Sequence, residues 1–341
     1  MSVADFTLPA TLEAHEPPEA RGLSRSGVRL LVGRRATGEV THHAFTDLPT
    51  LLRPGDVLVV NTSATLPAAV PVLGRDLMVH FSTELADGRW LVELRRAAGK
   101  ATTPYDAGLA GERYELPGGG AVLLREPYSA GRLWIARVET GGLGLIPYLH
   151  RHGAPIRYGY VPHAWPLSRY QTVFGRHPGS AEMPSAGRPF TDQLVTRLVT
   201  GGVLVVPVLL HTGVASPEAH ERPYPERFAV PGTTARVVTQ AKAAGGRVIA
   251  VGTTAVRALE SAADDRGVVR AARGWTDLVV TEERGVRVVD GLLSGFHEPR
   301  ASHLDMLAAI GGRPLLDACY AQAVQAGYLW HEFGDLNLLL P

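Results

Sequence analysis

Residues 247 to 261, RVIAVGTTAVRALES, place a strand, a tight turn and a helix start in immediate succession. Val248 to Val251 form a short apolar run and Gly252 breaks it. Thr253 and Thr254 then open an amphipathic stretch in which Val256, Leu259 and Ala263 share a helical face. The first amides of such a helix have no intrahelical acceptor and point at whatever lies above the carboxyl end of the strand, where anionic or polar ligand edges bind. The plainer reading is an ordinary βα turn with threonine as N-cap. A second chemical group, His211-Thr212-Gly213, ends the apolar run VLVVPVLL in the same strand-end position.

Familiar signatures for other chemistries are absent. There is no GxxxxGK[ST], and GGLGLIP does not satisfy GxGxxG, which argues against a nucleotide triphosphatase or a dinucleotide enzyme. Neither HExxH nor GxSxG occurs. The close histidine pairs, His42/His43, His150/His152 and His297/His303, lack a carboxylate or thiolate set at ligand spacing, so no metal is expected. Cys319 is the single cysteine among 341 residues, which excludes an intramolecular disulfide.

The elements that must position these groups follow from composition and pattern. With 45% apolar and 20% charged residues the chain can bury a full core, and its length suits two domains. A net charge of +1 forces no nucleic-acid or membrane reading. The N-terminus lacks the pattern of a secretory signal and no apolar run has transmembrane length, so a cytoplasmic protein is expected. Strands are expected near Val28 to Val32 and Val57 to Val60, the latter after the Pro54-Gly55-Asp56 turn and ended by Asn61. Arg21, Arg25, Arg29, Arg34 and Arg35 cluster near the first, as a phosphate-facing strip or a solvated rim. From Val70 to Gly144, short alternating runs such as LMVHFS and RLWIARVE between Gly, Pro and Asp predict antiparallel strands. The expected fold is α/β (α+β mixed), a main domain of residues 1–69 and 146–341 interrupted by an inserted small antiparallel β-barrel domain of residues 70–145.

Residues 145 to 190, rich in Pro, Gly, Tyr and His, read as binding loops or a covering loop. Beyond them, Thr191 caps a helix over DQLVTRLVT, and a helix over Thr233 to Ala244 leads into the opening motif. Strands are expected near Leu278 to Val280 and Val286 to Val289, helices over 302 to 310 and 314 to 326, and a closing strand in YLWHEFGDLNLLLP.

YQTVF (170–174), PGSAEMPSAGRPF (178–190), LLHTG (209–213), GTTAVRALES (252–261), VDGLLSGFHEPRAS (289–302) and FGD (333–335) resemble, in that order, the motifs of the S-adenosylmethionine:tRNA ribosyltransferase-isomerase family of queuosine biosynthesis. LLRPGDVLVVNTSATLPA and AHEPPEARGLSR extend the likeness to the N-terminus. The resemblance implies an α/β domain interrupted by a small β-barrel. It implies transfer and isomerisation of the ribosyl part of S-adenosylmethionine, as co-substrate, onto the aminomethyl group of a 7-deazaguanine base in tRNA, with adenine and methionine released. A sulfonium acidifies the neighbouring C–H and makes methionine a good leaving group, so a modest base and firm positioning suffice.

Mapped onto these motifs, Gly252, Thr253 and Thr254 contact the S-adenosylmethionine, and Arg257 pairs with its carboxylate or with Glu260. His211 and His297 are catalytic or adenine-contacting candidates. Tyr170 and Gln171 stack on and read a base edge, and Asp335 binds ribose hydroxyls or caps a turn. The chain also departs from the family pattern. Ala64 and Ala69 replace arginines, Arg188 and Pro189 stand for leucine and histidine, and VASPE replaces a glycine-threonine-phenylalanine continuation. Gly295 and Glu298 stand for asparagine and leucine, Glu182 for a small residue, and YLWHEFGD loses an arginine and adds Glu332. Glu182 and Glu298 are added catalytic candidates, since a pocket carboxylate can act as a base or hold an amine. Losing three arginines weakens phosphate binding. Two alternatives therefore stand beside the family reaction: a paralogue with a small acceptor or none, and a non-catalytic S-adenosylmethionine-binding protein. A monomer with no membrane partner is expected.

Overall fold

The computed structural model describes residues 6–98, 101–214 and 224–341. Most of the replaced VASPE segment lies outside them. In chain order the strands are β1 (Arg29–Arg34), β2 (Glu39–Ala44), β3 (Val57–Asn61), β4 (Ser63–Thr65), β5 (Ala69–Pro71), β6 (Leu77–Glu84), β7 (Trp90–Ala98), β8 (Ala101–Pro104), β9 (Arg113–Leu116), β10 (Gly120–Tyr128), β11 (Leu133–Thr140), β12 (His177–Ser180), β13 (Leu204–Leu210), β14 (Glu226–Val230), β15 (Val248–Val251), β16 (Ala272–Thr276), β17 (Gly291–Gly295) and β18 (Leu336–Leu340). The helices are α1 (Leu48–Leu51), α2 (Leu145–His152), α3 (Asp192–Thr200), α4 (Gly232–Ala243), α5 (Thr253–Ser261), α6 (His303–Gly311) and α7 (Arg313–Gln325).

The main sheet has the order β16-β14-β13-β3-β15-β17-β18-β1-β2, with β13, β3, β15 and β17 mutually parallel at its centre. β3 is buried on both faces, as its unbroken apolar run requires. Val57 and Val59 pack with Val256 and Leu259 of α5 and with residues of α4, α6 and α7. Leu58 and Val60 face the other way, onto Leu194 and Leu198 of α3 and onto Phe190. Helices thus cover both faces, the α/β arrangement expected. Asp56 fixes the entry to β3: Arg247, at the start of β15, donates Nε to its Oδ1 at 3.0 Å and Nη2 to its Oδ2 at 2.5 Å. Burial alone would raise the Asp56 carboxyl, but these bonds hold it below its ordinary value.

A second sheet runs β5-β6-β7-β11-β10-β9, with β8 on β7, every neighbour antiparallel and with its own core of residues such as Phe81, Leu94, Tyr114 and Val122. Its edge strands β5 and β9 do not pair with each other among the described residues. One amide, that of Leu73 in the turn after β5, donates to Glu115 O of β9 at 2.8 Å. Between the sheets, β6 meets the segment that follows β13, where Val214 donates its amide to Ser82 Oγ at 3.1 Å.

Three local expectations are corrected. Leu278 to Val280 and Val286 to Val289 are not strands; the ladder is made instead by β16 and β17, upstream and downstream. The reason is that side chains take these backbone groups. Arg257 Nε donates to Leu278 O at 3.0 Å, and Glu260 accepts the amides of Arg287, Val288 and Val289. Second, the closing strand is confined to Leu336–Leu340. Third, the loop-rich stretch from 145 begins with helix α2, whose Tyr148 and Leu149 anchor it to the second sheet's core.

His80 on β6 is buried at 4% exposure, and burial, with Arg95 nearby, pulls its pKa down to about 3. Because the unfolded imidazole protonates near 6.5 and the folded one does not, the unfolded chain gains protons as pH falls below 6.5, and stability drops with it. Between pH 7 and pH 5 the wild type should lose about 2 kcal/mol more than His80→Gln in urea denaturation. Equal losses in the two proteins would show that His80 titrates normally in the fold.

Candidate active site

The four parallel strands deliver their carboxyl ends to one edge of the main sheet. From β3 the chain goes to β13 on one side, whereas from β15 it goes through α5 to β17 on the other. The crevice between β3 and β15 is where the connections part, which is where ligands bind in open parallel sheets. Asn61 ends one of these strands and Gly252 follows the other.

Asn61, buried, makes four hydrogen bonds. Its Oδ1 accepts the amides of Leu210 at 3.0 Å and Ser63 at 3.1 Å, and its Nδ2 donates to Leu210 O at 2.8 Å and Thr254 Oγ1 at 3.1 Å. One amide group therefore ties β3 to β13, β4 and α5. Gly252 is the N-cap of α5 with φ +86° and no threonine side chain caps the helix, which corrects the threonine-cap reading. Gly252 passes its own amide to Leu293 O at 2.8 Å, closing β15 onto β17. A Cβ there would meet Ala186 at an ordinary 3.5 Å, so the positive φ rather than space calls for glycine. Thr253 is half-buried and Thr254 nearly buried.

His211 follows β13. Its Nδ1 lies 2.7 Å from Ser63 Oγ, which lies 2.5 Å from Ser180 Oγ, and Ser180 Oγ accepts the Thr212 amide at 3.0 Å. The parallel pair β4 and β12 brings the two serines together. The ring lies against Gly179, where a Cβ would come within 2.6 Å of it. Burial, then the charges of Arg227 and His177, bring its pKa down to about 4, so at neutral pH it is an uncharged imidazole. Its Nε2 makes no hydrogen bond with any described residue. Arg257 secures the same loop from below. It pairs with Glu226 and not with Glu260, donates Nη2 to Thr276 O at 3.1 Å, and Glu226 Oε1 in turn accepts the Gly213 amide at 2.9 Å. Arg257 is spent internally.

His297 stands at the far side, after β17. Its Nε2 is 2.8 Å from Ser294 Oγ, its amide donates to Tyr320 Oη at 3.1 Å, and its ring stacks on His303 at 4.7 Å. Burial, with His303 and His331 nearby, holds it well below the ordinary imidazole value. β3 and β15 separate the strands that carry the two histidines, a spacing of about 14 Å, so they flank the crevice and do not share one reacting atom.

Other expected site residues are engaged elsewhere. Gln171 donates Nε2 to Thr65 O at 2.8 Å and accepts the Thr65 amide at 3.0 Å, which leaves its amide holding β4 rather than reading a base. Tyr170 is buried against Phe333 at 5.3 Å, and burial pushes its hydroxyl up to about 12. Asp335, also buried, accepts the Arg29 amide at 2.7 Å, Arg29 Nη2 at 2.9 Å and the Leu329 amide at 2.8 Å, so both its oxygens are engaged within the protein. Glu182 is half-buried beside the His211 loop, its carbonyl accepting Thr212 Oγ1 at 2.8 Å. Glu298 is exposed, 3.9 Å from His331. The N-terminal arginines are mostly committed: Arg21 to Phe333 O, Arg25 to Gln171 O, and Arg35 to Ile310 O. Sequence reasoning missed Asn61, Ser63, Ser180 and Glu226 as positioning residues. Only Asn61 carried a signal, as a polar residue ending an apolar strand.

The family model described as queuosine biosynthesis protein matches residues 1–339. The chain belongs to this family. It is 36% identical to an S-adenosylmethionine:tRNA ribosyltransferase-isomerase of Heliobacterium modesticaldum, covering 100% of this chain and 99% of the relative. To the protein of the same name from Desulfitobacterium hafniense it is 34% identical, covering 98% of each. The crystal structure of S-adenosylmethionine tRNA ribosyltransferase from Thermotoga maritima superposes with a TM-score of 0.55 at 26% identity, covering 99% of this chain and 100% of that one. The queuosine family thus shares this mixed α/β fold from end to end.

Asp335→Ala tests the structural role of the FGD carboxylate. It should cost about 2–3 kcal/mol in urea denaturation, below the full cost of breaking a buried pair because Arg29 is half-exposed. A cost under about 1 kcal/mol would return Asp335 to the list of ligand contacts.

Proposed function

We propose that this chain is an S-adenosylmethionine:tRNA ribosyltransferase-isomerase. It transfers and isomerises the ribosyl part of S-adenosylmethionine onto the aminomethyl group of 7-aminomethyl-7-deazaguanine in tRNA and releases adenine and methionine. The observation that carries this reading is the end-to-end similarity at 34–36% identity, together with a strand-end crevice bounded by Asn61, Gly252 and His211. That extent of similarity favours the full reaction over a small acceptor or a binding-only role.

In this reading the amides at the start of α5 and the Thr253 and Thr254 hydroxyls hold S-adenosylmethionine over the crevice. His211, uncharged and joined at Nδ1 to Ser63, takes the proton from the carbon beside the sulfonium through Nε2, and the Ser63–Ser180 hydroxyl pair sets its tautomer. His297 acts on the opposite side, toward the departing adenine. Arg257 and Glu226 position the His211 loop and do not touch the substrate. Glu182, on the loop that covers His211, is the remaining catalytic candidate. We also read residues 70–145 as an inserted domain whose antiparallel sheet curls toward a barrel, a reading supported by the Leu73–Glu115 bond. No helix among the described residues is long and apolar enough to cross a membrane. A cytoplasmic monomer fits a tRNA-modifying role.

The test is incubation of the purified protein with S-adenosylmethionine, with and without tRNA bearing the aminomethyl-deazaguanine base, followed by mass spectrometry of adenine and methionine. Release only with that tRNA is expected. His211→Ala should lower kcat at least about 100-fold with S-adenosylmethionine affinity within a few-fold of wild type. Release without tRNA, or no release at all, would refute the proposal. A His211→Ala enzyme with wild-type kcat would remove His211 from the chemistry.

A further inference from the structure

Strand β6 carries one residue more than its neighbour β7 can pair. Phe81 lies opposite Val92 and Thr83 opposite Leu91, so Ser82 between them has no opposite residue and forms a β-bulge. A bulge takes one side chain out of the sheet's alternation, and bulges are common beside functional sites, where they aim that side chain. Here the aim is at the loop that carries His211. Ser82 is buried at 1% exposure, and its Oγ accepts the Val214 amide at 3.1 Å.

Tyr224, also buried, completes the contact. Val214 donates its amide to Ser82 Oγ, Ser82 Oγ donates to Tyr224 Oη at 3.0 Å, and Tyr224 Oη donates back to the Val214 carbonyl. The circle is closed. Each hydroxyl donates once and accepts once, and both backbone groups of Val214 are used. The neighbouring backbone is pressed close as well, since a Cβ on Gly213 would come within 2.5 Å of both Ser82 and Tyr224. Four successive amides of the loop are thus held one by one: His211 by Arg227 O at 3.0 Å, Thr212 by Ser180, Gly213 by Glu226 and Val214 by Ser82. Only the last acceptor comes from the second sheet.

We propose that the β6 bulge is a positioning device for His211: Ser82 and Tyr224 fix Val214, and through it they keep the imidazole on Ser63. That role rests on the proposed reaction, in which His211 is the base. Ser82 and Tyr224 are positioning residues and touch no substrate, yet through them the antiparallel sheet contributes to the chemistry from outside the crevice. A loop free to shift by a fraction of an ångström would lengthen the 2.7 Å contact between His211 Nδ1 and Ser63 Oγ. A base misplaced on that scale loses rate rather than substrate affinity.

The positioning is read without turnover, by nitrogen NMR of protein with labelled histidine rings at neutral pH, the His211 signals being those lost in His211→Ala. Ser82→Ala should move both His211 ring nitrogens toward the averaged values of a free imidazole and leave those of His297 in place. Tyr224→Phe, which removes one oxygen and keeps the ring packing, is the second variant should Ser82→Ala fold poorly. Unmoved His211 signals in the folded variant overturn the positioning whatever the reaction is. In the release assay the same variant should lower kcat about tenfold, with KM for S-adenosylmethionine within about twofold of wild type. A His211→Ala background separates alignment from general loosening: there Ser82→Ala should lower kcat no further, because nothing is left to align. An unchanged kcat, or an equal loss in both backgrounds, would overturn the positioning role. Wild-type protein that releases no adenine with the aminomethyl tRNA, while the NMR response is intact, would instead refute the proposed function.

Discussion

Everything at the strand ends hangs on one buried side-chain amide. Asn61 uses all four of its hydrogen-bonding positions, two on Leu210, one on Ser63 and one on Thr254, so the distance across the crevice between β13, β3 and α5 is set by a planar group with no freedom to adjust. Replacing it with a residue of the same size but other polarity would leave donors and acceptors buried without partners, each costing about 1–3 kcal/mol. The Ser63 amide it holds begins β4, and β4 places the Ser63 hydroxyl on His211. The line from sheet to catalytic candidate is therefore three residues long.

A second constraint acts on the far side of α5. The segment between β16 and β17 has no ladder, yet its backbone is not left unpaired. Glu260, buried on α5, gathers three successive amides, and Arg257, one turn earlier, takes the carbonyls of Thr276 and Leu278. Charged side chains on one helix face thus do the work of a missing strand. The same arrangement explains why Arg257 has no reach toward a ligand: a guanidinium with bonds to Glu226 and two carbonyls inside the core would have to break them and stay buried. Its influence on chemistry passes through Glu226 to the Gly213 amide.

The parts of this molecule legible in the sequence are those where local pattern and tertiary role coincide. β3 reads as a central strand because both its faces are buried, and the helix over DQLVTRLVT reads correctly because Thr191 caps it within three residues, at Leu194 N. Leu278 to Val280 and Val286 to Val289 misled because apolar, β-branched runs look alike whether a strand or charged side chains, here Arg257 and Glu260, take the backbone. Asp335, Gln171 and Arg257 belong to ligand-like motifs, yet their polar atoms are taken by partners 306, 106 and 31 residues away, pairings no local spacing announces. Ser63 and Ser180 are the converse, two ordinary serines 117 residues apart that become a hydroxyl chain only when β4 and β12 pair.

The two histidines carry a final consequence of burial. Desolvation removes charge from both His211 and His297, and among the described residues no carboxylate is hydrogen-bonded to either ring to restore it; each leans on a serine hydroxyl instead. A carboxylate partner would stabilise an imidazolium and make a stronger base, at the cost of a permanent negative charge in the crevice. A hydroxyl partner fixes the ring and leaves it neutral. In the proposed reaction the substrate already carries a positive sulfur next to the carbon to be deprotonated, and the weaker base is sufficient. In that proposal the driving force resides in the substrate, and the contribution of the serine-held rings is alignment.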